Sequence, residues 1–125
     1  MRLLFACLLL FEASTLRAQE TPTASDSLFI VTFTTGPAWD TSKSPGEQPF
    51  FKEHSANLGN WHKEGAIRFG ARYSDKGIIF LSAPTMTAAR ERIGSDPAVV
   101  NKLFLADVQR LRPFYYGCIE KPIKK

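Results

Sequence analysis

The chain has 125 residues, of which 44% are hydrophobic and 22% charged, with a formal net charge of +4. That length suits one domain around a single core, since two domains would each be marginal. The basic excess is mild and spread along the chain apart from Lys121, Lys124 and Lys125, so charge supports neither a nucleic-acid groove nor a membrane-surface patch, and nucleic acid is not an expected partner.

Residues 1–18 read as a secretory signal: Arg2 opens it, Leu3 to Phe11 form an apolar run, and small residues near Ala18 offer a cleavage point. The run is shorter than the roughly 20 residues needed to cross a bilayer. No stable membrane span is therefore expected after cleavage, and the expected location is secreted or periplasmic. Bulky Phe5 and the early position of Cys7 argue against a lipoprotein signal. Removing Arg2, Arg17 and Glu12 lowers the net charge by one. Of the two cysteines only Cys118 would remain, so burial rather than an intrachain disulfide must hold the fold. Cys118 reads as buried or unpaired, with pairing between chains as the alternative.

Residues 19–27 are polar and contain Pro22, which suits a disordered leader. Leu28 to Thr35 is rich in β-branched and aromatic side chains and stops at Gly36-Pro37, the pattern of a buried strand. Gly36 to Pro49 reads as a loop of a length that is often functional. Within it, Trp39 either pins the loop to the core or lids a pocket.

Phe50 to Glu64 reads as one amphipathic helix around which the rest is organised. At about 100° per residue, Phe50, Phe51, His54, Ser55, Leu58, Trp61 and His62 share an arc of roughly 140°. Lys52, Glu53, Asn57, Asn60, Lys63 and Glu64 fall outside it, on the expected wet side. His54 lies between Phe51 and Leu58 on the dry side, and an imidazole taken out of water needs a hydrogen-bond partner. His62, at the arc's edge near the helix end, reads as a surface residue that suits the helix dipole.

Gly65 is placed to cap the helix. A strand over Ala66 to Tyr73, a turn at Ser74 to Gly77 and a returning strand over Ile78 to Ser82 form a hairpin. In the first of these strands Ile67, Phe69 and Ala71 alternate with Arg68, Gly70 and Arg72. Thr85 caps a second helix that ends at Gly94, and Asp96 caps a short element starting at Pro97. Leu103 to Arg112 reads as the last strand, extended by Phe114, Tyr115 and Tyr116, before a basic tail over 121–125.

The order strand, helix, strand, strand, helix, strand predicts an α+β, ferredoxin-like βαββαβ domain over residues 28–120, a four-stranded antiparallel sheet with two helices on one face. Strand positions on both faces are apolar, which predicts a homodimer in which a second copy covers the open face. No Gly-x-Ser-x-Gly elbow, phosphate loop or spaced His/Cys metal cluster is present in the sequence. Arg68 and Arg72 share a strand face and are candidates to hold an anionic group, against a simple solvated face. Ser82 is a candidate ligand donor or a structural strand-end hydroxyl.

The chain resembles the YCII-related (YciI-like) family. The likeness is carried by His54 in the first helix, Gly65-Ala66-Ile67-Arg68-Phe69-Gly70 after it, Ser82-Ala83-Pro84-Thr85, Asp96-Pro97, and Arg112-Pro113-Phe114. It spans nearly all of the domain. The resemblance implies a dimeric α/β barrel of ferredoxin-like subunits and a pocket in which His54 and Asp96 form a dyad, His54 as acid or base and Asp96 as its orienter. It further implies cofactor-independent lyase, isomerase or dehalogenating chemistry on a small organic substrate, with Phe51, Trp61 and Phe69 as apolar walls and Arg68 or Arg72 steering an anion. The alternative is a non-catalytic periplasmic ligand-binding or structural dimer, in which His54 is a satisfied helix histidine and Asp96 only a cap.

Overall fold

The computed structural model describes residues 26–117; the expected signal, most of the leader, Cys118 and the basic tail lie outside them. The elements are β1 (Ser27–Thr35), a 3-10 turn (Pro45–Glu47), α1 (Phe51–Lys63), β2 (Ile67–Tyr73), β3 (Lys76–Ala83), α2 (Met86–Gly94), α3 (Pro97–Val100) and β4 (Phe104–Arg110). The strands form one antiparallel sheet in the order β2-β3-β1-β4. This α+β arrangement is compatible with a ferredoxin-like fold.

Period-two alternation sets which face is buried. Phe29, Val31 and Phe33 of β1 lie beside Leu81 and Ile79 of β3, and Val31 faces Val108 of β4. All of these are buried, together with Trp61 from α1 and Ala89 and Ile93 from α2. The core therefore lies between the sheet and the helices. The other face carries half-buried Ile30 and Phe80 and half-exposed Leu105 and Tyr73. Among the described residues no helix is long and apolar enough to cross a membrane.

The local stop signals act as expected. Gly65 takes a left-handed conformation, φ 81°, and its amide and that of Ala66 donate to the carbonyls of His62 and Trp61, which closes α1 in a Schellman turn. Thr85 accepts from the Ala88 amide at 3.0 Å. Gly36 is needed for close approach: any Cβ there would run into the Lys102 carbonyl, while the Gly36 amide donates to Leu103.

Three expectations are corrected. The hairpin turns through Ser74 and Asp75 alone, since Tyr73 already pairs with Lys76, so Gly77 lies in β3. The last strand stops at Arg110 rather than running into Phe114 to Tyr116, whose side chains are exposed. Pro113 lacks an amide hydrogen and restricts Arg112, and among the described residues β1 begins at Ser27 and offers no partner beyond the Leu111 to Leu28 bond. Finally, β2 carries a bulge between Ile67 and Phe69. It inverts the alternation, so Gly70 and Arg72 face the helices while Phe69 turns to the opposite face.

Candidate functional site

The helical spacing of α1 brings Phe51, His54, Ser55 and Leu58 to one stripe against the sheet. His54 is buried, and its Nδ1 lies 2.9 Å from Oδ1 of Asp96, which has no exposed surface. The chain reaches Asp96 at the end of α2, where proline at the next position holds it extended (φ -64°, ψ 130°). This conformation lets the same Oδ1 accept from the Ala98 amide at 3.0 Å. Asp96 is thus both the cap of α3 and the hydrogen-bond partner of His54.

Asn57 completes the arrangement. Its Nδ2 donates to Oδ2 of Asp96 at 2.8 Å, so side chains one turn apart on α1 grip both oxygens of one carboxylate. Asn57 lies outside the helical arc that defines the expected dry side, and is half-buried only because α3 packs there. Burial alone would raise the Asp96 pKa. It is outweighed by the hydrogen bond from His54, that from Asn57, the charge attraction of His54 and the Ala98 amide, which together hold the carboxyl below its usual range. An ionised carboxylate only accepts. The neutral His54 ring must therefore carry its proton on Nδ1.

Nε2 has no protein hydrogen-bond partner among the described residues, yet no buried nitrogen or oxygen is left unpartnered. It therefore keeps accessible surface, and His54 lines a cavity of about 560 Å³. Aromatic rings wall this cavity. Phe104 is their hub, with ring centroids 4.9 Å from His54, 5.6 Å from Trp39, 6.2 Å from Phe51 and 6.3 Å from Phe33. Phe33 meets the His54 ring edge-on at 5.1 Å.

The loop between β1 and α1 forms the outer wall. Buried Gln48 clasps it: the side chain donates to the Asp40 and Lys43 carbonyls and accepts from the Asp40 amide. Ser44 and Glu47 close a capping box on the 3-10 turn. Trp39 is thereby held against Phe104 while also lining the cavity, so it both pins the loop and covers the pocket.

Of the residues proposed from sequence, the cavity gathers His54, Phe51 and Arg72, with Asp96 directly behind His54. The other four lie elsewhere. Trp61 shares the arc of His54 but sits two turns along α1, about 10 Å away, buried beneath the Arg92 guanidinium, which lies 5.7 Å from its ring. Phe69 is turned to the far face by the bulge and stacks on Phe80 at 5.1 Å. Arg68 occupies the bulge itself and is exposed. Ser82 donates to Asp26 at 3.1 Å, on the same far face as Phe80.

Sequence reasoning missed Asn57, Phe33, Phe104 and Gln48. Inward parity within a strand could have picked out Phe33 and Phe104, and a glutamine inside a Pro- and Gly-rich loop is a weak cue for Gln48. No protein-family model matches the chain, and no curated protein matches it.

Proposed function

We propose that this protein is a cofactor-independent acid/base catalyst that moves a proton on a small organic substrate through Nε2 of His54. The observation that carries this reading is the support given to one ring: a buried imidazole fixed at Nδ1 by a triply bonded carboxylate, with Nε2 bordering a cavity. Nε2 accepts a proton from a substrate carbon or oxygen acid, and the resulting imidazolium is stabilised by Asp96. Returning the proton to a neighbouring atom gives an isomerisation. Returning it to a departing oxygen or nitrogen group gives a lyase elimination; in a dehalogenating elimination the halide departs as the anion and the imidazolium returns its proton to water.

The YCII-like resemblance supports the same reading, and with it we propose a homodimeric α/β barrel, the second copy lying on the sheet face that carries Ile30, Phe80, Leu105 and Tyr73. Export through residues 1–18 is part of the proposal. The test is solvent deuterium exchange into a panel of small carbon acids in D₂O, followed by proton NMR. Wild type is expected to exchange at least one panel member, and His54→Gln none of it. Equal exchange by the two proteins, or none by wild type, would refute the reading.

One observation favours a second reading, a non-catalytic binding or structural dimer. The Asp96 carboxylate caps α3, so some of its burial serves the fold. Under that reading His54→Gln lowers the melting temperature and changes nothing else.

A further inference from the structure

The floor of the cavity, between Phe33 and Arg72, is bare. Phe33 of β1 pairs with Gly77 of β3, and Gly77 pairs in turn with Arg72 of β2; Gly70 pairs with Ile79 one rung away. Strands lie about 4.8 Å apart, so Arg72 springs from the sheet about 10 Å from Phe33, on the same face. Gly77, between them, and Gly70, two residues before Arg72 on β2, contribute no side chain.

The fold gives no reason for them. Neither has a positive φ, and a Cβ on Gly77 would lie 3.9 Å from the nearest atom, one on Gly70 3.6 Å, both ordinary contacts. Glycine inside a strand weakens it, and its presence without a conformational need marks a place where something else lies close to the backbone. The space above is walled by the aromatic rings of Phe33, Trp39, Phe51 and Phe104, which favours an aromatic occupant that meets ring edges and faces.

Charge selects further. The cavity is lined by two charged side chains, Arg72 and Asp75. Asp75 is answered by Lys76, whose Nζ lies 3.2 Å from its Oδ1. Among the described residues Arg72 has no carboxylate, carbonyl or aromatic partner. A guanidinium left unpaired beside an apolar slot suits a planar anion, which it can bind through two parallel hydrogen bonds.

We infer that the cavity binds a single aromatic ring carrying one carboxylate, the ring lying over Gly77 and Gly70 and the carboxylate on Arg72. This deepens the proposed acid/base reading, from which it takes the site, by naming the substrate class. The volume of about 560 Å³ is within the usual span for small-ligand sites. Arg72 then acts as the anchor that sets which end of the ring approaches Nε2.

The test is a binding titration of the ¹⁵N-labelled protein with benzoate, benzamide and benzylamine, read at the two tryptophan indole signals. Benzoate is expected to shift the Trp39 signal saturably and leave Trp61 unmoved, with benzamide and benzylamine about tenfold weaker or worse. Arg72→Gln should erase the preference for benzoate over benzamide without weakening benzamide, while Arg68→Gln, outside the cavity, keeps it. Gly77→Val should weaken every ring by about tenfold; Gly70→Ala gives a milder version of the same loss. No shift with benzoate, benzamide binding as tightly as benzoate, a preference for benzylamine, or normal binding by Gly77→Val would each overturn the inference. These readouts need no turnover, so they stand or fall separately from deuterium exchange.

Discussion

The two buried residues of α1, His54 and Trp61, lie two turns apart on one side of the helix and have opposite surroundings. Trp61 joins the core cluster and is roofed by Arg92, which reaches Glu64 at 3.1 Å. His54 is held by Asp96 at the α2–α3 junction, which is itself held by Asn57 of α1 and the Ala98 amide of α3, and His54 lines the cavity. Burying an apolar ring needs only neighbours of the right shape, whereas burying an imidazole needs a partner, and that partner needs partners of its own. In the proposed reading, that support fixes the tautomer of the ring beside the cavity. The Trp61 end shows what the same helix looks like where it only holds the domain together.

The contrast can be broken at its structural end first. Trp61→Ala is expected to cost about 4 kcal/mol in urea denaturation, the largest effect of the series, while leaving the benzoate shift at Trp39 intact. Loss of ligand binding with the fold retained would show that the two ends are not separable. Asp96→Ala removes the cap of α3 and the partner of His54 together, and should cost about 3 kcal/mol while abolishing any His54-dependent exchange.

A pH series sharpens this. Because the Asp96 pKa is depressed in the folded chain, folding binds fewer protons there than the unfolded chain does. The stabilisation is therefore complete above the unfolded value of about 3.9 and is lost as pH falls through the lower native value. The stability gap between wild type and Asp96→Asn should narrow as the pH drops from about 5 to about 2. A gap that widens on acidification would reverse the assigned direction. The smallest effect belongs to the roof over Trp61. The Arg92 and Glu64 side chains are 37% and 58% exposed, so Glu64→Gln should change stability by about 0.5 kcal/mol or less.

What the sequence made legible was the local part of the molecule. The stripe of α1, the Gly65 stop and the Thr85 and Asp96 caps follow from helical period and from side chains that bond their own backbone a few residues away. The pairing of His54 with Asp96 spans 42 positions, and in the sequence it rested on a family likeness. Asn57 was hidden because a helical wheel sees only the sheet side of α1, whereas its partner arrives from α3. The bulge at Arg68 leaves no compositional mark, yet it exchanges the faces of every later residue in β2, which is why Arg72 enters the cavity while Phe69 and Arg68 do not. Phe104 becomes a wall only through the register that sets it opposite Thr35.

The most direct test of the account is the protonation site of the His54 ring, read by ¹⁵N-detected NMR of the two histidines, with exposed His62 as the internal reference. The account predicts that the neutral His54 ring carries its proton on Nδ1 and leaves Nε2 bare, and that Asp96→Ala removes this preference. A neutral ring protonated on Nε2 in the wild-type protein would contradict it, because Asp96 would then not be accepting from His54 and no base would border the cavity.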